Sequence, residues 1–93
     1  FEQSDIPVVV DCWAAWCGPC KSFAPTFEQA IKKLEPKARF AKLDTEKEQR
    51  LAARFQIRSI PTLLVMKNGK EVARQAGVMT LPQFEQWLKP YLA

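Results

Sequence analysis

Two cysteines separated by a glycine and a proline, Cys17-Gly18-Pro19-Cys20, are the residues of this chain best suited to chemistry. Such a pair can ligate a metal, close a structural disulfide or cycle between dithiol and disulfide. The chain holds one further cysteine, Cys12, and no histidine. A closed zinc site takes about four Cys or His ligands, more than one copy supplies. A secreted disulfide scaffold usually carries more cysteines, in an even number. Redox cycling of Cys17 and Cys20 is therefore the favoured reading. A metal shared between chains is the outside alternative, and no resident metal is expected.

The flanking sequence sharpens this. The run Pro7-Val8-Val9-Val10-Asp11-Cys12-Trp13 is strand-like, and a helical pattern begins at Gly18. A helix N-terminus offers unpaired N–H groups and the positive end of the helix dipole, which stabilise a thiolate. Cys17 is expected at the exposed mouth. Cys20, one turn on, is expected within disulfide reach and more buried. Gly18 and Pro19 would supply a tight turn and a rigid helix start. A permanent staple is the competing reading, but a four-residue loop constrains the unfolded chain little.

Asp11 is an acid inside an apolar strand, on the same face as Val9 and Trp13 by strand alternation. Burial there would raise its pKa. The plainer reading is a polar residue that ends the strand. Cys12 points to the other face and reads as a small buried apolar residue.

The elements that must position these groups follow from periodicity. Residues 8–13, with β-branched residues in a row, suit a strand covered on both faces. Phe23, Phe27, Ala30, Ile31 and Leu34 recur at helical spacing, with Pro25 expected to kink the helix and Pro36 to stop it. Residues 38–43 read as a second strand. Thr45-Glu46-Lys47-Glu48 has the form of a capping box opening a short helix through Leu51, Ala52 and Phe55. Residues 62–66 read as a third strand. Asn68-Gly69 is a strong hairpin signal, and residues 70–76 form the returning strand. A second capping box, Thr80 to Gln83, opens an amphipathic helix carrying Leu81, Phe84, Trp87, Leu88 and Tyr91. The first strand, helix and second strand form a right-handed parallel unit. The hairpin makes the sheet mixed. The class is α/β, with helices on both faces.

The chain has 93 residues, room for one domain. Its 47% apolar and 26% charged residues describe a globular composition. The net charge of +4 is spread along the chain. Without a basic stripe or a reading motif, no nucleic-acid partner is expected. No apolar run approaches the ~20 residues of a membrane span, and no membrane partner is expected. The first residues do not read as a signal peptide. The chain does not begin with Met, which reads as a fragment or a processed form.

Residues 13–21, Trp13-Ala14-Ala15-Trp16-Cys17-Gly18-Pro19-Cys20-Lys21, resemble the active-site signature of the thioredoxins. Phe40-Ala41-Lys42-Leu43-Asp44, Ile57-Arg58-Ser59-Ile60-Pro61-Thr62-Leu63 and Lys67-Asn68-Gly69 match further thioredoxin blocks. The resemblance covers nearly the whole chain. Phe23-Ala24-Pro25 and the Ile57–Pro61 stretch are most similar to bacterial thioredoxins that carry an N-terminal zinc-binding segment, absent here. The resemblance implies a single thioredoxin-like domain over residues 1–93, truncated at its N-terminus and lacking the usual first strand. It enters near the end of the family's first helix, at about Phe1. Residues 38–43 would then be an unprotected sheet edge.

The resemblance also implies roles. Cys17 would be the nucleophile and Cys20 the resolving thiol. Asp11 would lie beneath the disulfide and help deprotonate Cys20, with Lys42 as its buried partner. Pro61 would be a cis-proline, leaving the Ile60 backbone free to pair with an extended substrate. Trp16, Gly18, Pro19, Ile60, Pro61, Gly77 and Val78 would contact substrate, while Trp13 packs beneath. The implied activity is protein disulfide reduction, with disulfide-bonded proteins as substrates and an NADPH-dependent thioredoxin reductase as partner. The expected compartment is the cytoplasm. No cofactor is implied beyond the Cys17–Cys20 disulfide, and no Gly-rich nucleotide motif is present. The rival readings are an oxidant or isomerase, whose relatives often carry His between the cysteines, and a thioredoxin-like binding module with incidental cysteines.

Overall fold

The structure is a computed structural model and describes residues 6–35 and 37–92. Its elements are β1 (Val8–Trp13), α1 (Gly18–Leu34), β2 (Arg39–Asp44), α2 (Gln49–Arg54), β3 (Thr62–Lys67), β4 (Lys70–Ala76) and α3 (Leu81–Leu88). A short 3-10 turn, Lys89–Tyr91, follows α3. The sheet order is β2-β1-β3-β4. β1 and β2 run parallel, whereas β3 is antiparallel to both β1 and β4. This is the mixed α/β sheet expected from the sequence, with β2 and β4 at its edges.

β1 is central because its residues are apolar on both faces. Val9, with Leu63 and Val65 of β3, packs against Phe23, Phe27 and Ala30 of α1 and Phe84 and Leu88 of α3. Val8, Val10, Cys12, Leu64 and Met66 face the opposite way, toward Leu51 and Phe55 of α2. The first layer is aromatic. Phe23, Phe27 and Phe84 meet with ring centroids 5.4–6.2 Å apart. Such pairs add about 0.5–1.5 kcal/mol each beyond the area they bury. The second layer is thinner, since no residue of α2 is fully buried.

Local signals explain most boundaries. Asn68 and Gly69 both adopt left-handed backbone, φ 53° and 78°, which a two-residue hairpin turn requires. Thr80 caps α3 in a reciprocal box. Its Oγ1 accepts from the Gln83 N–H at 3.3 Å, and the Gln83 side chain accepts from the Thr80 N–H at 3.0 Å. α1 continues through Pro25. Pro36 lies outside the described residues, as does Phe1. β2 begins one residue later than the pattern suggests.

The expected capping box at Thr45 does not form. The Thr45 hydroxyl and N–H both donate to the Trp13 carbonyl, at 3.0 and 2.9 Å. Asp44 Oδ1 instead accepts from the N–H groups of Glu46 and Lys47. α2 therefore starts only at Gln49, without a side-chain cap. The carbonyl at the end of β1 needs a donor, and this competes with helix capping for the same threonine. The result ties the end of β2 to the start of the cysteine loop.

Two irregularities flank α2 and β4. Gln56 sits just past α2 with φ 55°. Its N–H bonds the Ala53 carbonyl and the Ile57 N–H bonds the Ala52 carbonyl, at 3.0 and 2.9 Å. This is a Schellman end, in which glycine usually takes the left-handed position. In β4 the register with β3 shifts between Val65 and Met66, so that Val65 faces Ala73 while Met66 faces Glu71. Val72 is the extra residue of a β-bulge.

Glutamine in the left-handed position at residue 56 carries a steric cost that glycine would not. Gln56→Gly should raise stability by about 0.5 kcal/mol, the steric relief less the added chain entropy. In a domain of this size that shifts a thermal midpoint upward by roughly 2–4 °C. Scanning calorimetry checks it; a lowered midpoint contradicts it.

Candidate active site

Cys17 is the N-cap of α1 and is itself non-helical, with φ −88° and ψ 109°. Its N–H bonds the Ala14 carbonyl at 3.1 Å, closing the loop that leaves β1. The Cys20 N–H donates to Cys17 Sγ at 3.2 Å. The two cysteines form a disulfide, with Cα atoms 5.3 Å apart. A charged Cys17 sulfur would meet this N–H and the positive end of α1, which together favour a thiolate.

One expectation about the pair fails. Cys17 and Cys20 are each only 4% exposed, so the first cysteine is no more open than the second. Ala14, Trp13 and Ile60 close around both sulfurs. Cys17 is set apart by its capping position and by its neighbour, the Ile60 carbonyl oxygen 3.8 Å from Sγ. Gly18 also departs from expectation. It has ordinary helical placement, and a Cβ there would meet nothing within 4 Å. The turn does not demand glycine. Gly18 and Pro19 are exposed, beside the disulfide.

Asp11 lies on β1, 3% exposed, on the face of Val9 and α1. Oδ1 has no hydrogen-bond partner among the described residues. Burial pushes its carboxyl up to about 6, against a weaker downward pull from Lys42. A cavity of about 130 Å³ is lined by Asp11, Trp13, Cys20, Lys21, Ala24 and Lys42. It is roomy enough for several waters. Asp11 and Cys20 thus open onto one small chamber.

Lys42 is not the buried partner expected. Its side chain is 42% exposed, and Nζ lies 3.2 Å from Glu28 Oε1 on α1. It also sits 5.9 Å from the Phe27 ring centroid. It lies on β2, the end strand of the sheet among the described residues. Lys42 pairs with Asp11 across the parallel strands and acts on it through space from the chamber wall.

The Ile60–Pro61 bond is cis. Pro61 is buried, while Ile60 is half-buried. The Gly77 N–H donates to the Pro61 carbonyl at 2.9 Å, from a left-handed backbone at φ 93° that favours glycine. Trp16 and Val78 are 68% and 52% exposed, large apolar side chains left open beside the disulfide loop and Gly77. A groove of about 170 Å³ runs between Trp16, Thr45 and the segment Ile57, Arg58, Ser59 and Ile60. Gly77 and Val78 do not line this groove. Thr45, Ile57, Arg58 and Ser59 were not singled out as site residues from the sequence, although three of them lie in the block that ends at Pro61. Cys12 is wholly buried on the other face of β1, where burial pushes its thiol up to about 12.

Among the described residues no group of three or more His, Cys, Asp or Glu could hold a metal ion. No described helix is long and apolar enough to cross a membrane.

Comparison with known proteins places these features in context. The thioredoxin family model matches residues 1–90. Thioredoxin C-3 of Corynebacterium nephridii is 51% identical over 92 residues, which cover 99% of this chain and 63% of that protein. Thioredoxin of Haemophilus influenzae is 39% identical over 90 residues, covering 97% of this chain and 84% of that protein. Thioredoxin Y, chloroplastic, of Oryza sativa is 40% identical over 92 residues but is covered over only 55% of its length. The chain thus spans less than two thirds of the first and last of these relatives.

The Asp11 carboxyl gives a signed pH prediction. Its folded pKa of about 6 lies above the ordinary 3.8, so the folded state holds the proton more tightly than the unfolded chain. The group therefore costs stability as pH rises above 3.8, and the cost is complete above about 6. Asp11→Asn should raise the melting temperature at pH ~8, for a gain on the order of 2–3 kcal/mol, and the gain should vanish by pH ~4. Thermal melts across this range check it. A mutant less stable than the parent at neutral pH would show that the carboxylate is held by the fold.

Proposed function

The chain belongs to the thioredoxin family, and from that premise we propose that it is a protein disulfide reductase working by dithiol–disulfide exchange at Cys17 and Cys20. The observation that carries this reading is the Cys17–Cys20 disulfide at the N-terminus of α1, with the Cys20 N–H aimed at Cys17 Sγ. That arrangement stabilises a thiolate at one sulfur and keeps the other within bonding reach.

The steps balance as two exchanges. In the dithiol form, the Cys17 thiolate attacks one sulfur of a substrate disulfide. A mixed disulfide forms and the other substrate sulfur leaves as a thiolate, which takes up a proton. Cys20 then loses its proton and attacks Cys17 Sγ. The second substrate thiol is released and the Cys17–Cys20 disulfide, the state held by the structure, is formed. Two electrons have passed from the protein to its substrate. The shared chamber supports Asp11 as acceptor of the Cys20 proton, directly or through water. A carboxyl with a pKa of about 6 is matched to this task near neutral pH. Lys42, on the chamber wall, favours its ionised form.

An extended substrate segment would lie along the groove beside Ile57–Ile60, with Trp16 as an apolar contact and the Ile60 backbone available for strand-like pairing. Gly18, Pro19, Gly77 and Val78, all exposed, complete the surface around the sulfurs, with the buried Pro61 beneath it. Electrons would return from an NADPH-dependent thioredoxin reductase. The active-site pair is the only redox group the reading requires, and residues 1–93 act as one thioredoxin-like domain in the cytoplasm. Gly18-Pro19 between the cysteines and the lack of histidine favour reduction over oxidation or isomerisation.

In a reductase-coupled assay read by NADPH oxidation, the protein should turn over a disulfide-bonded protein substrate. Cys17→Ser should abolish turnover. Cys20→Ser should attack once and stall, giving a mixed disulfide visible on a non-reducing gel. Adducts from Cys17→Ser and none from Cys20→Ser would reverse the two roles; no turnover by the parent protein would remove the reading.

A further inference from the structure

The groove segment Ile57–Ile60 has no regular secondary structure of its own. It leaves α2, a six-residue helix with no buried residue and no side-chain cap at its start. Ile57 packs on the core with Leu51 and Phe55, and the Thr62 hydroxyl donates to the Ser59 carbonyl. Arg74 of β4 reaches across to the end of α2. Its guanidinium donates to the Gln56 carbonyl at 3.2 Å and to the Phe55 carbonyl. The same guanidinium is gripped by Glu71, with Nε 2.7 Å from Oε2 and a terminal nitrogen 2.7 Å from Oε1. This is the two-pronged geometry that suits arginine and that a lysine cannot reproduce.

The grip depends on the bulge. In a regular strand, residues three apart point to opposite faces. The extra residue Val72 corrects the phase, so that Glu71 lies opposite Met66 and Arg74 opposite Leu64. Met66 and Leu64 both face α2. Glu71 and Arg74 therefore share the α2 face. The carbonyls Arg74 binds belong to the left-handed Gln56 and its predecessor, where the last turn of α2 leaves acceptors unpaired. Three residues further on, just past the end of β4, the Gly77 N–H holds the Pro61 carbonyl. β4 and the residue that follows it thus fasten both ends of the groove segment.

We propose that Arg74, locked by Glu71 across the β4 bulge, is a positioning residue for substrate binding: it anchors the C-terminus of α2 and so fixes the Ile57–Ile60 wall of the groove. The inference rests on the disulfide-reductase reading. Arg74 does not line the groove, and it touches neither cysteine. Its loss should weaken binding of substrates that use the groove and leave the reactivity of Cys17 itself unchanged.

The test compares two substrates in rapid-mixing reactions of the pre-reduced protein freed of excess reductant, with KM and kcat read as the half-saturation concentration and the limiting rate. One is a synthetic peptide closed by a single disulfide, long enough to lie along the groove. The other is dithiobis-nitrobenzoate, a small aryl disulfide that has no backbone to pair. Arg74→Ala should raise KM for the peptide about five-fold, the scale of a charge-assisted hydrogen bond. Its kcat and its rate with the aryl disulfide should stay within about two-fold, a change too small to count as a lost contact. Hydrogen exchange at the Gln56 and Ile57 amides should quicken. Arg74→Lys, which keeps the charge without the fork, should fall between and carries the test by the same criteria if Arg74→Ala fails to fold. An unchanged peptide KM overturns the inference, as does an equal loss on both substrates. Failure of the parent protein to reduce either substrate removes the reductase reading and the inference together.

Discussion

The arrangement around the disulfide turns on one uncompensated group, the Asp11 carboxylate in a strand buried on both faces. Asp11 sits between Val10 and Cys12 with an oxygen that no described residue satisfies. A strand with this sequence would be more stable with an apolar residue there. Its position is tolerable because the strand around it is over-supported. Val9 meets the clustered rings of Phe23, Phe27 and Phe84, and Val8 and Val10 fill the other face. The cost falls where it is useful, in the chamber shared with Cys20. Lys42 moderates it from the rim without entering, since its ammonium is shared with Glu28.

The rest of the site is loop, held by a few hydrogen bonds to strands and by the packing of Ile57 on the core. Thr45 ties the Trp13 carbonyl to the end of β2, fixing the start of the cysteine loop. Arg74 and Gly77 tie the ends of the groove segment to β4. The Ile60 carbonyl arrives beside Cys17 Sγ through these restraints. Reactive groups on loops, positioned by a rigid sheet, are a common division of labour. Here the strands that do the positioning, β2 and β4, are the outer two of the four described strands.

Much of this was legible in the sequence. The valines of β1, the Asn68-Gly69 turn and the Thr80–Gln83 capping box are local signals, and each element appeared where its signal lay. For Asp11 the strand pattern left burial and a polar strand end both open, and the structure buries it. Three features did not follow, each because a distant partner decided it. Thr45 looked like a helix cap, yet the Trp13 carbonyl claims its hydroxyl. Cys17 looked exposed at a helix mouth, yet Ile60, far along the chain, closes over it. The bulge at Val72, which brings Glu71 and Arg74 to one face, carries no signal in the sequence. The resemblance, rather than any residue pattern, suggested the cis bond at Pro61 and the partnership of Asp11 with Lys42. The first is present, and the second is electrostatic and solvent-exposed on the lysine side.

The most direct test is a titration of the Asp11 side-chain carbon by NMR in the oxidised protein. Burial without a hydrogen-bond partner predicts a midpoint near 6, well above the ordinary 3.8. Glu28→Gln, which frees Lys42 from its carboxylate, should move that midpoint downward. A midpoint near 4 in the parent protein, the range of an ordinary carboxyl, would mean that the carboxylate is solvated or paired. The account of Asp11 as a buried base beneath the cysteines would then fail.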